Sequence, residues 1–149
     1  MKNLADNIAL LSLTLWVGAL FAIGYIAAPV LFQTLPTMLA GNVAGHMFTW
    51  VSYIGLAAGF YLLVYQLYYQ GLSVMKRATF WLVLLMLLIT IGIHFGIAPV
   101  MESLKAQALP RDVMASAFRN RFAAWHGISS IIYLVQTVFG MWLVTVWRK

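Results

Sequence analysis

The chain has 149 residues, 64% of them apolar and only 8% charged. A soluble domain averages about 25% charged residues, and so small a supply of charge cannot cover a water-facing surface. This excludes a soluble globular fold and makes lipid the solvent for most of the chain. The net charge of +6 then speaks for headgroup contacts at span ends, not for nucleic acid.

Four apolar runs reach the length of about 20 residues that a bilayer core requires, at residues 8–31, 48–69, 78–101 and 125–147. They predict an all-α membrane protein: a four-transmembrane-helix bundle forming a single domain over residues 1–149. The first run is read as a retained span. Asp6 interrupts the basic start, the apolar stretch exceeds the usual h-region, and Pro29 stands where a signal peptide would be cleaved. Gly18 with Ala22, and Gly24 with Ala28, offer small faces for close helix approach. Pro29, and later Pro99, lie near the outer ends of their spans and are read as terminators.

In the connection that follows, Pro36 is suited to opening a short in-plane helix. The second run carries "GLAAG", with Gly55 and Gly59 four apart. "QGLSVMKRA" is a short inner turn that makes spans 2 and 3 antiparallel neighbours. In the later outer connection Pro110 is placed at a helix start with Asp112 in its first turn. Met114, Phe118, Phe122 and Trp125 recur at helical spacing there. They predict an amphipathic outer helix of about 14 residues before helix 4, lying near the surface or running directly into the span.

Lys2, Lys76, Arg77, Arg148 and Lys149 fall on one side of this topology. Lys105, Arg111, Arg119 and Arg121 fall on the other, with Glu102 and Asp112. The first outer connection has no Lys or Arg, which places both termini in the cytoplasm. Tyr61, Tyr65, Tyr68, Tyr69, Trp81, Trp142 and Trp147 form the inner aromatic belt.

The chain also repeats itself. "AAPVL" at 27–31 answers "IAPVM" at 97–101, and "AGHMFTWVSY" at 44–53 answers "AWHGISSIIY" at 124–133. His46, Thr49 and Tyr53 thereby match His126, Ser129 and Tyr133. Two helical hairpins in tandem, related by an axis along the membrane normal, are expected.

On the fourth span His126, Ser129, Tyr133, Gln136 and Gly140 recur at spacings of 3 and 4, a polar face about three turns long. Such a face is costly against lipid and must turn toward protein or water. Together with His46, Tyr53 and His94, it predicts a polar pocket in the outer membrane half. Met38, Met47, Met101 and Met114 are expected on the same side. Imidazole with thioether suits copper, and facing imidazoles suit haem iron, so His94, His126 and His46 are the candidate metal ligands. The plainer reading leaves His46 and His126 in contact with water or headgroups and gives His94 a hydrogen bond to Tyr53 or Ser129. No paired carboxylates or cysteines exist to support catalysis, and no catalytic residue is assigned.

The phrases "LWVGALFAIGYIAAPVLFQTL", "AGNVAGHMF" and "RNRFAAWHGISS" resemble a bacterial domain-of-unknown-function family. That family is related to the eukaryotic transmembrane protein linked to platinum-drug resistance, and is distantly similar to copper-resistance D-type membrane proteins. The resemblance covers nearly the whole chain and rests on Trp16, Gly18, Pro29, Phe32, Gly41, Gly45, His46 and His126. It implies a four-span protein of the bacterial inner membrane without an established reaction. Copper and haem belong only to the distant relatives, and the extended His/Met-rich segments of dedicated copper carriers are missing here.

Three functions follow as expectations. The first is binding or handling of a soft metal ion or haem-like ligand. The second is an accessory subunit or assembly factor held to a homo-oligomer or membrane-complex partner. The third is a haem-dependent redox enzyme.

Overall fold

The computed structural model describes residues 2–147. Arg148 and Lys149, counted above among the inner charges, lie outside the described residues, as does the side chain of Lys2. Four helical stretches are long and apolar enough to cross a membrane: Leu4–Thr34, Thr37–Lys76, Ala78–Ala108 and Arg119–Val146. They are numbered spans 1 to 4. Each packs on the next, and span 4 closes on span 1. The N-terminus and the end of span 4 share one end of the bundle, the termini end. The connections between spans 1 and 2 and between spans 3 and 4 lie at the loop end.

The buried centre is built from Leu13, Trp16, Val17 and Leu20 of span 1 and Val83, Met86, Leu87 and Thr90 of span 3. Each member of the first set has its counterpart in the second seventy positions later. The even spans supply glycine to the same centre. A Cβ on Gly59 would meet Trp16 and Leu87 at 3.0–3.2 Å, and one on Gly140 would meet Val17 and Met86 at 3.1–3.4 Å. Exchanging spans 1 and 3 turns the first pair of neighbours into the second. The two hairpins are therefore arranged as copies about an axis along the bundle. The glycines pair one residue out of step with the His46/His126 and Tyr53/Tyr133 alignment.

The prolines do not end their helices. Span 1 passes through a π-helical segment, Ala22–Ala27, and resumes as an α-helix over Ala28–Thr34. Span 3 does the same through Gly92–Ile97 and Ala98–Ala108. Pro29 and Pro99 remove an N–H, and in an unbroken α-helix their rings would press on the carbonyl one turn back. Widening the preceding turn relieves this: the Ala28 N–H donates to the Ile23 carbonyl and the Ala98 N–H to the Ile93 carbonyl. Both alanines keep helical backbone angles, and a local π adjustment is a known way to keep backbone groups satisfied in lipid. Termination was expected from the rule for residues before proline, and helix continuity overrides it.

The connections differ from expectation in related ways. Pro36 is the N-cap of one continuous helix, Thr37–Gln70, and opens no separate in-plane helix. At 34 residues this helix is about 51 Å long, well beyond the about 30 Å of hydrocarbon, so it must tilt or extend past the hydrocarbon. At the termini end Gly71, with a φ of 60°, breaks that helix into a 3-10 helix, Gly71–Lys76, which forms the short turn expected. Pro110 lies in a turn, and Asp112 caps the 3-10 turn Val113–Ala115 by accepting from the Met114 N–H at 2.9 Å. Of the two placements foreseen for the outer helix, the one running straight into the span is found: helix begins at Arg119, and Met114 stays in the turn before it.

Span 1 supplies a stability test. A methyl group on Gly24 would collide with the Tyr133 ring, whereas nothing lies within 4 Å of one on Gly18. Gly24→Ala is expected to lower stability by about 1–3 kcal/mol and Gly18→Ala to leave it unchanged or slightly raised, measured by thermal unfolding in detergent. Gly18 is thus not the packing surface that its spacing predicts.

Candidate functional site

Along span 4 the polar face divides by depth. His126 is exposed, and its ring stacks on Phe122 of the previous turn, with centroids 6.1 Å apart. Ser129 donates to the His126 carbonyl at 2.9 Å and lies 4.0 Å from the Met101 sulfur. His126 thus faces outward, while Ser129 is partly buried against span 3. One turn deeper, Tyr133 enters the bundle and donates from its hydroxyl to the Leu20 carbonyl of span 1 at 2.7 Å, its ring lying over Gly24. Gln136 is 2% exposed, and its Nε2 donates to Thr90 Oγ1 of span 3 at 2.7 Å. Thr90 passes its own proton to the Met86 carbonyl at 2.9 Å.

The other candidates lie elsewhere. His46 is exposed near the start of span 2. His94 occupies the π segment of span 3, half-buried, with Tyr53 at 5.0 Å and Phe95 at 4.7 Å between ring centroids. Tyr53 is itself 48% exposed. This pair is the counterpart of Tyr133 over Gly24: the tyrosine of each hairpin's even span covers the π segment of the other hairpin's odd span. His94 therefore meets Tyr53 through ring contact, where a hydrogen bond was foreseen.

The three histidines thus occupy three spans, His94 beside Tyr53 and Phe95 and His126 beside Phe122. Among the described residues no group of three His, Cys, Asp or Glu side chains is placed to hold a metal ion. The cavity found between spans 3 and 4 near His94, about 340 Å³, is walled by Ile89, Ile93, Ile97, Ile131, Ile132 and Val135 and offers no polar donor set. Helical periodicity correctly grouped the side chains on one face. It could not show which neighbouring helix each of them meets.

At the loop end the second-span helix is tied down by span 3. Lys105 Nζ donates to the Gly41 carbonyl at 3.2 Å and pairs with Glu102 at 2.8 Å. A Cβ on Gly45 would meet both charged groups at 3.3 Å. Gly45 therefore makes room for this ion pair, and Gly41 supplies a carbonyl to it.

A family described as a domain of unknown function, DUF4149, matches residues 11–110, two-thirds of the chain. The chain belongs to this family. The match takes in the first three spans, with Trp16, both π segments, His46 and His94, and stops before Ser129, Tyr133 and Gln136. No curated protein and no solved structure is similar enough to count as a match.

Two residues missed as structural parts are Thr90 and Leu20, the acceptors for span 4. Thr90 carried a signal, since it lies one turn from His94 on the same face. A backbone carbonyl such as that of Leu20 carries none. Tyr133→Phe is expected to cost about 0.6–1.7 kcal/mol, the range measured for hydrogen bonds between membrane helices. Gln136→Leu should fall in the same range, both read by unfolding in detergent, while His126→Ala should change little.

Proposed function

We propose that the protein is a structural accessory subunit or assembly factor of a membrane complex, seated in the bacterial inner membrane with both termini cytoplasmic. What carries this reading is the use made of the polar row. Tyr133 and Gln136 spend their hydrogen bonds on spans 1 and 3 and so act as internal ties. A carrier of soft metal or haem needs donors that converge, and the three imidazoles are dispersed.

The loop end supports the same view. It is held by the Lys105–Glu102 pair and the Gly41 carbonyl, so a partner would meet an ordered surface there. The orientation is supported by Lys76 and Arg77 at the termini end and by the lack of Lys or Arg between spans 1 and 2.

Purification of the tagged full chain from native membranes in mild detergent tests this directly. A partner in fixed stoichiometry is expected, and it should be retained by His46→Ala and His126→Ala variants. A protein that emerges alone with stoichiometric metal or visible-range absorbance, lost in the His126→Ala variant, would overturn the reading.

A further inference from the structure

At the termini end a cavity of about 420 Å³ opens between spans 2, 3 and 4, lined among others by Tyr65, Gln66, Gln70, Arg77, Thr79 and Trp147. Its polar groups are not satisfied by one another. Gln66 is 1% exposed, and its Oε1 accepts from Thr79 Oγ1 at 3.3 Å, yet its Nε2 has no partner among the described residues. One turn further on, Gln70 Oε1 is likewise buried without a donor. Buried amide groups left in this state destabilise a fold, and their persistence calls for a ligand or water.

Two further features set the sign of that ligand. The α-helix Ala78–Ile91 begins in the cavity wall, with Arg77 at its N-cap and no side chain accepting from its first N–H groups. A helix start of this kind favours an anion through its free N–H groups and the positive end of its dipole. Arg77 adds a guanidinium with no acidic partner among the described residues. Among the described residues at this end, the Asp6 carboxylate is already engaged by the Tyr65 hydroxyl at 2.5 Å.

Three kinds of donor thus face one space, beside a single unfilled acceptor, Gln70 Oε1, that calls for a hydroxyl. The remaining wall is apolar, from Ala78, Val146 and the Trp147 ring. Trp147 lies tilted against Tyr65, with ring centroids 6.3 Å apart, within the aromatic cluster that includes Tyr61 and Tyr69, which sets the depth at the headgroups.

We propose that this cavity is a headgroup site for an anionic phospholipid of the phosphatidylglycerol type. The phosphate is held by Gln66 Nε2, Arg77 and the start of the third-span helix, and a glycerol hydroxyl donates to Gln70 Oε1. Basic pockets between helices at a membrane face are a recognised way of holding anionic headgroups. The site is independent of the accessory-subunit reading, which uses the opposite end of the bundle.

The test uses the full chain in a non-ionic detergent. Native mass spectrometry measures dissociation constants for dioleoyl-phosphatidylglycerol, dioleoyl-phosphatidylcholine and soluble glycerol 3-phosphate. Phosphatidylglycerol is expected to bind at least about tenfold tighter than either competitor, the weight of one charge-assisted hydrogen bond. Arg77→Gln, an exposed position that leaves folding intact, and Gln66→Leu should each remove about that factor, while Arg121→Gln at the other end should not. Equal binding of the two lipids, or unchanged phosphatidylglycerol binding in Arg77→Gln, overturns the site. Glycerol 3-phosphate binding as tightly as the lipid keeps the phosphate contacts but overturns the lipid assignment.

Discussion

The bundle depends on Trp16 lying flat over two glycines of span 2. The indole is fully buried, and a Cβ on Gly55 would come within 2.6 Å of its nitrogen and one on Gly59 within 3.1 Å of its ring. Lipid offers no hydrophobic force between helices, so their cohesion comes from close packing and internal hydrogen bonds. A large flat side chain against bare backbone supplies contact area that two ordinary apolar helices would lack. It also leaves the indole N–H without a partner among the described residues, so packing here outweighs one unmet donor.

The other half solves the same problem with different volumes. Met86 stands where Trp16 stands, and Gly140 where Gly59 stands. One turn away, the second hairpin has Gln136 in place of Gly55. The smaller Met86 leaves room for that amide, which then reaches Thr90 and ties spans 3 and 4 together. One hairpin thus uses a large aromatic and two glycines, and the other a thioether, a glycine and a hydrogen bond. The polar residues that look out of place in an apolar helix are part of this exchange.

How much of this is legible in the sequence varies with the physics involved. The spans, their order and the Gly55/Gly59 surface are imposed by lipid through composition and spacing, and they read directly. The tandem repeat is visible in the Ala-Pro-Val and His…Tyr pairs, though not the one-residue offset of the glycines. The π segments were missed because proline rules describe isolated helices. A proline inside an apolar run that does not end there was the available hint. That the histidines do not gather into a metal-holding group was not legible, because spacing reports the face of a helix and not which neighbours it meets. The cavity at Gln66 escaped notice because two glutamines one turn apart within a tyrosine-rich belt look like ordinary interfacial residues. Only coordinates reveal that their amides lack partners.

The equivalence of the odd spans has an evolutionary reading. A single two-span hairpin bearing one tryptophan- or methionine-like knob and one glycine socket is self-complementary about the same axis. Two separate chains of that kind would assemble with each knob in its own socket and the next apolar residue, the counterpart of Val17 or Leu87, against the other chain's glycine. Joining them through Gly71–Lys76 makes the pairing intramolecular and releases the halves from identity. One can then enlarge its knob while the other acquires an amide, a division of labour closed to a symmetric ancestor.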